Sequence, residues 1–315
     1  MPPIQPPVIV VAGPTASGKS SLAVALAELY RGVVINADAL QVYRDLRILT
    51  ARPGAPEQAC APHRLYGYLD AAERGSAAEW RRRALAEIAA AHQAALLPIV
   101  VGGSGLYLRA LMQGLAPVPD IPPDIRQEAA ELYRRLGGKA FRQRLAELDP
   151  ASAGRLPPGD ITRLTRAYEV VRATGRPLAA WRRDPAQPAP YRFATLLLAP
   201  PRAALYAACN ARFAAMIAAG GLDEARALLM RGLEPRLPAM KAVGVPELMR
   251  HLRGALPLSE AVAAAQMATR RYAKRQMTWF RHQLNADLTC DAQYSESFLR
   301  SARHFVDRFL LTRRP

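Results

Sequence analysis

Short, continuously apolar runs alternate with longer stretches of helical spacing along the first third of the chain. VIVVA at residues 8–12 stops at Gly13, and a run this short, closed by glycine, reads as a strand buried on both faces. Over residues 18–30, Leu22, Ala25, Leu26 and Leu29 recur at the spacing of one helix face. Residues 33–35 repeat the buried-strand pattern, residues 80–95 repeat the helical one, and LLPIVVGGSG from Leu96 reads as strand and then glycine turn. Strand, helix and strand in that order predict an α/β core with a parallel sheet.

Two proline-rich runs, PVPDIPP at 117–123 and DPAQPAP at 184–190, interrupt the alternation, because successive prolines are poor in helix and sheet interiors. The spacing between them predicts helices over 124–136, 139–148 and 161–174. FATLLLA at 193–199 then returns to strand character, and from there the pattern is helical to the end, with a long helix over 259–284. The middle helices read as an insertion between two parts of one core. The same helices packed on the sheet with no domain of their own are the alternative.

Composition narrows the classes. Half of the 315 residues are hydrophobic and the 27 prolines are dispersed, which excludes a disordered or collagen-like chain. No apolar stretch approaches the ~20 residues of a membrane span. Residues 1–5 carry no basic segment ahead of the first apolar run, so no signal peptide is expected. Cys60, Cys209 and Cys290 are scattered and the five histidines are far apart, which speaks against a disulfide framework or a zinc cluster. A soluble, cytoplasmic protein is expected.

Charge adds a partner. With 43 Lys and Arg against 26 Asp and Glu, the formal net charge is +17, well beyond the ~2 to 8 that suffices for solubility in a small domain. Arginines that merely solvate the surface are one explanation and a polyanionic partner is the other. In the long C-terminal helix, Arg270 and Lys274 are four apart, as are Arg271 and Arg275, so two basic rows can lie side by side. Ala273, Phe280 and Leu284 form a compatible apolar face, but before residue 277 that helix is mostly alanine. An interfacial membrane helix wants large apolar residues there, so nucleic acid is the better partner. Arg163 and Arg166, three apart, offer a second basic segment.

The strongest chemical signal is Gly13, Pro14, Thr15, Ala16, Ser17, Gly18, Lys19 and Ser20, a complete phosphate-loop pattern between a strand and a helix. Its glycines allow a tight turn of converging N–H groups, Lys19 adds a positive charge, and the Ser20 hydroxyl can hold Mg²⁺. The fold expected is therefore α/β, a P-loop nucleoside triphosphate hydrolase-like core with a parallel sheet and an inserted helical domain. Residues 1–120 are its first part, 121–191 the insertion, and 192–315 the second part with basic C-terminal helices. The loop specifies a phosphate chain and not a reaction: a nucleotide or nucleoside kinase is one reading, and a diphosphate leaving group is another. Asp38, just past the second strand, stands at the crevice end of such a sheet, where it could take a proton, coordinate Mg²⁺ through water, or merely cap a helix. Gln41 can pair with an adenine edge.

These segments together resemble one family. GPTASGKS at 13–20, NADALQVYR at 36–44, GGSGLYLRAL at 102–111, DITRLTRAYEV at 160–170 and MATRRYAKRQMTWFR at 267–281 are similar to the bacterial tRNA dimethylallyltransferases, also called tRNA isopentenyltransferases. The resemblance spans the whole chain. It implies transfer of a dimethylallyl group from dimethylallyl diphosphate to N6 of adenosine 37, next to the tRNA anticodon, with Mg²⁺ as cofactor. It implies Asp38 as general base, Thr15 to Ser20 on diphosphate, and Lys19 and Ser104 at the reacting centre. Contacts to tRNA are implied for Asp38, Ala39, Leu40, Gln41 and Ser104. They are implied too for Thr162, Arg163, Leu164, Thr165 and Arg166, and for Lys274, Arg275, Gln276, Met277, Thr278, Trp279, Phe280 and Arg281. A monomer with no membrane partner is expected. Several positions depart from the family pattern: Ala39 stands where serine is usual, Ala208 where an arginine is common, and VGVPE at 243–247 lacks a tyrosine. If the missing arginine clamps diphosphate, Arg202 or Arg212 must substitute.

Overall fold

The computed structural model describes residues 5–312; of the N-terminal segment on which the absence of a signal peptide was expected, residues 1–4 lie outside them. In chain order, β1 (Pro7–Ala12), α1 (Lys19–Tyr30), β2 (Gly32–Asn36), α2 (Ala55–Cys60), β3 (His63–Arg64), α3 (Ala77–Gln93), β4 (Leu97–Gly102) and α4 (Gly105–Gln113) come first. Then follow α5 (Pro123–Ala146), α6 (Pro150–Arg155), α7 (Ile161–Thr174) and α8 (Leu178–Trp181). The chain ends with β5 (Arg192–Leu198), α9 (Arg202–Ala218), α10 (Gly221–Met230), α11 (Val245–Leu252), α12 (Leu258–Gln283), β6 (Leu288–Cys290) and α13 (Glu296–Leu311).

The strands form one sheet in the order β3-β2-β4-β1-β5-β6, and every neighbouring pair is parallel. Alternation along β1 explains why its sequence is apolar at every position. Val8, Val10 and Ala12 pack into one hydrophobic layer with Trp80, Leu108, Leu248 and Phe280, while Ile9 and Val11 pack into the other with Leu22, Leu26, Ala302 and Val306. Helices therefore cover both faces, as a parallel sheet requires. The sequence leads one to expect a C-terminal part that is helical to its end, and the structure corrects this: β6 adds an edge strand beside β5. Three residues are too few to show a strand period, and the partner strand supplies the hydrogen bonds that make it one.

Two compact units emerge, one of Met1–Met112 with Ala189–Pro315 and the other of Gln113–Pro188. The second unit carries its own core of Phe141, Leu145, Leu164, Tyr168 and Val171. Its first element, α5, is broken at Gly137, which holds a non-helical φ of +71, so it is two helices, as the spacing over 124–136 and 139–148 predicts. The N-caps of α6 and α7 are Asp149 and Asp160, whose side chains accept from Ser152 N and Arg163 N. Among the described residues no single helix is long and apolar enough to cross a membrane.

The aromatic packing of the second unit generates a stability test. Phe141 is fully buried, with ring centroids 5.2 Å from Tyr133 and 5.4 Å from Tyr168. Phe141→Ala should cost about 3–5 kcal/mol. Hydrogen exchange of residues 129–171 should accelerate while β1 stays protected; unchanged protection over 129–171 would contradict the assignment of that core.

Candidate active site at the strand ends

Register brings three loops to one place. Ala12 at the end of β1 pairs with Gly102 at the end of β4, and Asn36 at the end of β2 pairs with Val101. Beyond the strands, Ala37 N donates to Val101 O at 2.7 Å and Ser104 N donates to Ala37 O at 3.2 Å. A side chain at residue 102 would lie 2.1 Å from the Ala37 carbonyl oxygen, so this approach of backbone to backbone requires glycine. The loops that begin at Gly13, Ala37 and Gly103 thus meet at the carboxyl edge of the sheet, where α/β folds bind ligands.

In the phosphate loop, Ala16 and Gly18 hold φ of 63° and 86°, and α1 begins at Lys19 with its first N–H groups unpaired within the helix. Lys19 is 8% exposed and its Nζ donates to Pro14 O at 3.3 Å. Burial lowers its pKa to about 8, with the Asp38 carboxylate opposing the shift and Arg212 adding to it. Ser17 Oγ is buried without a partner among the described residues, and Ser20 is exposed at the start of α1. Thr15 is held from both sides: its N donates to Gln276 Oε1 at 2.8 Å, and its Oγ1 accepts from Arg212 Nη1 at 3.3 Å.

Asp38 is fixed by a local turn. Its N donates to Asn36 Oδ1 at 2.8 Å, its Oδ1 accepts from Leu40 N at 2.9 Å, and Asn36 Nδ2 donates to both Asp38 O and Leu65 O. The next residue is tied across the site, because Ala39 N donates to Ser104 Oγ at 2.8 Å. Tyr272 lies beside Ser104, and burial followed by the Asp38 charge holds its phenol well above the usual range. A partly open pocket lies beside these groups. Thr15, Asp38, Arg212 and Tyr272 line it together with apolar Leu40, Leu49, Phe213, Met216 and Val243. Arg212 is pushed below its ordinary pKa by burial, and the Asp38 charge opposes that.

The structure sorts the residues singled out from the sequence. Lys19, Asp38 and the phosphate loop come together. Of the two candidate clamps, Arg212 lines the cavity, whereas Arg202 stacks over the Tyr206 ring at the start of α9. Ser104 is committed to Ala39, so it positions the turn that carries Asp38. The Gln41 amide also turns inward, donating from Nε2 to Thr50 O and Ala51 O. On α12, Lys274, Arg275, Thr278 and Arg281 are exposed and Trp279 is partly so, but Gln276, Met277 and Phe280 are buried and face the protein. In the second unit Thr162 and Arg163 are exposed and Thr165 and Arg166 partly so, while Leu164 is fully buried in its core. The side chains of Gln276, Met277, Phe280 and Leu164 therefore do not present themselves to RNA. Asn36 and Tyr272 escaped the sequence reading. Tyr272 does lie four residues before Gln276 and seven before Trp279, a spacing that marks one helix face.

A protein-family model described as IPP transferase matches residues 41–283. The chain is 56% identical over 312 residues to the tRNA dimethylallyltransferase of Rhodospirillum rubrum, covering 97% of this chain and 96% of the relative. It is 59% identical over 282 residues to that of Rhodospirillum centenum, covering 89% and 90%. The crystal structure of the full-length tRNA isopentenylpyrophosphate transferase from Bacillus halodurans is similar at a TM-score of 0.69, with 32% identity and 96% of each chain covered. A eukaryotic dimethylallyltransferase acting on tRNA shares the fold at a TM-score of 0.82, with 24% identity and coverage of 96% of this chain and 80% of that one.

The buried lysine gives the site a pH dependence. Because its pKa lies at about 8, Lys19 loses its charge as pH rises through that value. Affinity for inorganic diphosphate should fall over the same range, and Lys19→Arg should hold it to higher pH. Calorimetric titration between pH 7 and 9.5 checks this, and a flat affinity in the wild-type protein would contradict it.

Proposed function

The chain belongs to the IPP transferase family, and on that premise we propose that it transfers a dimethylallyl group from dimethylallyl diphosphate to N6 of adenosine 37 of tRNA. The observation that carries this reading is the cavity: a cationic end with Thr15 and Arg212, one carboxylate, and a wall of Leu40, Leu49, Phe213, Met216 and Val243. A five-carbon allyl group fits such a wall, while a kinase acceptor, which is polar, gains little from it.

The exocyclic amine of adenine is a weak nucleophile, so most of the help must go to the leaving group. Lys19, Arg212 and the N–H groups that begin α1 hold the diphosphate and stabilise the charge that grows on it as the C–O bond breaks. The amine lone pair forms the new C–N bond, the electron pair of the C–O bond departs with diphosphate, and Asp38 takes the N6 proton. With Oδ1 bound to Leu40 N, the Asp38 carboxylate keeps one oxygen for this task. Tyr272, Ser104 and Ala39 keep the carboxylate in register with the loop, and the apolar wall excludes competing water. Among the described residues no three His, Cys, Asp or Glu side chains converge on a metal position. The residues present suit Mg²⁺ brought in by the diphosphate, with Ser20 contributing a hydroxyl. When bound, that ion supplies further charge neutralisation on the leaving group. The exposed Arg271, Lys274, Arg275 and Arg281 of α12 are the proposed phosphate contacts for tRNA. We expect a cytoplasmic monomer.

Incubation with tRNA, Mg²⁺ and labelled dimethylallyl diphosphate should label the RNA; label transfer from the γ-position of ATP instead would overturn the proposal. Asp38→Asn preserves the acceptor for Leu40 N and should slow single turnover at saturating tRNA by about 10² to 10⁴-fold. A loss below threefold would remove Asp38 as the base.

The double variant Arg271→Ala/Arg275→Ala should weaken tRNA binding at low salt and flatten its salt dependence by roughly one counterion per lost contact. Donor affinity should stay near wild type. Filter binding across a salt series reads both, and identical slopes would mean that this row touches no phosphate.

A further inference from the structure

On α12, Tyr272, Gln276 and Trp279 are four and three residues apart and so share one helix face. This face turns inward, onto the loops of the site. Gln276 is 6% exposed, and both ends of its amide are used: Oε1 accepts from Thr15 N at 2.8 Å and Nε2 donates to Gly103 O at 3.0 Å. Its partners lie in the phosphate loop and in the turn after β4, which belong to two different strand ends. A Cβ at residue 103 would sit 2.2 Å from Nε2, so the amide occupies space that only glycine leaves open. Trp279 lies against Gly105 of the same turn, and Tyr272 reaches Ser104 between them.

We propose that Gln276 is a positioning residue for the donor, setting the diphosphate loop against the turn that carries the general base. The inference rests on the reading of the site as a diphosphate-releasing transferase. Its physical basis is a continuous path. Gln276 fixes the backbone of Thr15 on one side and Gly103 on the other. Ser104, next in the chain, accepts from Ala39 N and so holds the residue after Asp38. The Thr15 N–H is committed to Gln276, which leaves the diphosphate to the N–H groups that follow it in the loop and to Lys19. An amide at this position therefore governs where the leaving group sits relative to the base without touching either. Its neighbours Lys274 and Arg275 are exposed, so the helix combines an exposed basic row with a loop-holding row.

Gln276→Met keeps the side chain's length and removes both hydrogen bonds. It should weaken binding of inorganic diphosphate and raise the KM for dimethylallyl diphosphate by roughly tenfold, the scale of one or two lost buried hydrogen bonds. The Kd for tRNA and its salt dependence should be unchanged. Gly103→Ala, which pushes on the same amide from the other side, should reproduce the effect, and the double variant should be no worse than the more affected single one. Gly103→Ala decides the matter if Gln276→Met does not fold. Weakened tRNA binding with unchanged diphosphate affinity would make Gln276 an RNA contact and overturn the proposal, as would no change in either. Calorimetry with inorganic diphosphate reads the loop even if the wild-type protein failed to transfer an allyl group, so loss of that reading and loss of this one are separable.

Discussion

The close approach of Ala37 to Gly102 is the constraint on which the site depends. Two strand ends that would otherwise diverge are drawn together by Ala37 N on Val101 O and Ser104 N on Ala37 O. With β1 paired beside β4, the phosphate loop is carried to the same edge. Everything chemical follows from that convergence: the carboxylate, the buried lysine and the Ser104 hydroxyl come from segments far apart in sequence yet meet at one edge of the sheet, where Asp38 lines the cavity.

Charge balance at that edge is the second constraint. Lys19 is buried and Arg212 partly so, and among the described residues Asp38 is the carboxylate that acts on both, so the site carries more positive than negative charge before any ligand arrives. Two desolvated cations beside one anion repel each other, and a diphosphate relieves that repulsion more fully than a monoanion can. The same arrangement keeps the Asp38 carboxylate, the proposed base, beside the cations that would hold the leaving group. Cost to the folded protein and affinity for the donor are thus two aspects of one arrangement.

Much of this was legible in the residues. The runs at 8–12 and 193–199 are strands because buried parallel strands are apolar throughout, and GPTASGKS announces its loop through glycine and lysine placement. Asp38 was legible because a strand ends just before it. Other parts lack a local signal. β3 and β6 are two- and three-residue edge strands made by their partners. In RYAKRQMTWF, polar residues occupy both faces of the helix, so composition alone does not say that Lys274 faces out and Gln276 faces in. The answer lies in Thr15 N and Gly103 O, contributed from 261 and 173 residues away. Gln41, Leu164, Met277 and Phe280 were placed among the RNA contacts by resemblance to a block, and a block does not distinguish the residues that touch a ligand from those that hold the block in place.

The central claim is that the leaving group and the acceptor amine meet between Lys19 and Asp38. A crystal structure of the complex with tRNA and a non-reactive thiolo analogue of dimethylallyl diphosphate tests it directly. The analogue's diphosphate should lie on Lys19, Arg212 and the start of α1, its allyl tail against Phe213 and Met216, and the adenine N6 within hydrogen-bond distance of an Asp38 carboxylate oxygen. An adenine amine that lies out of reach of Asp38 while the diphosphate occupies the loop would contradict it.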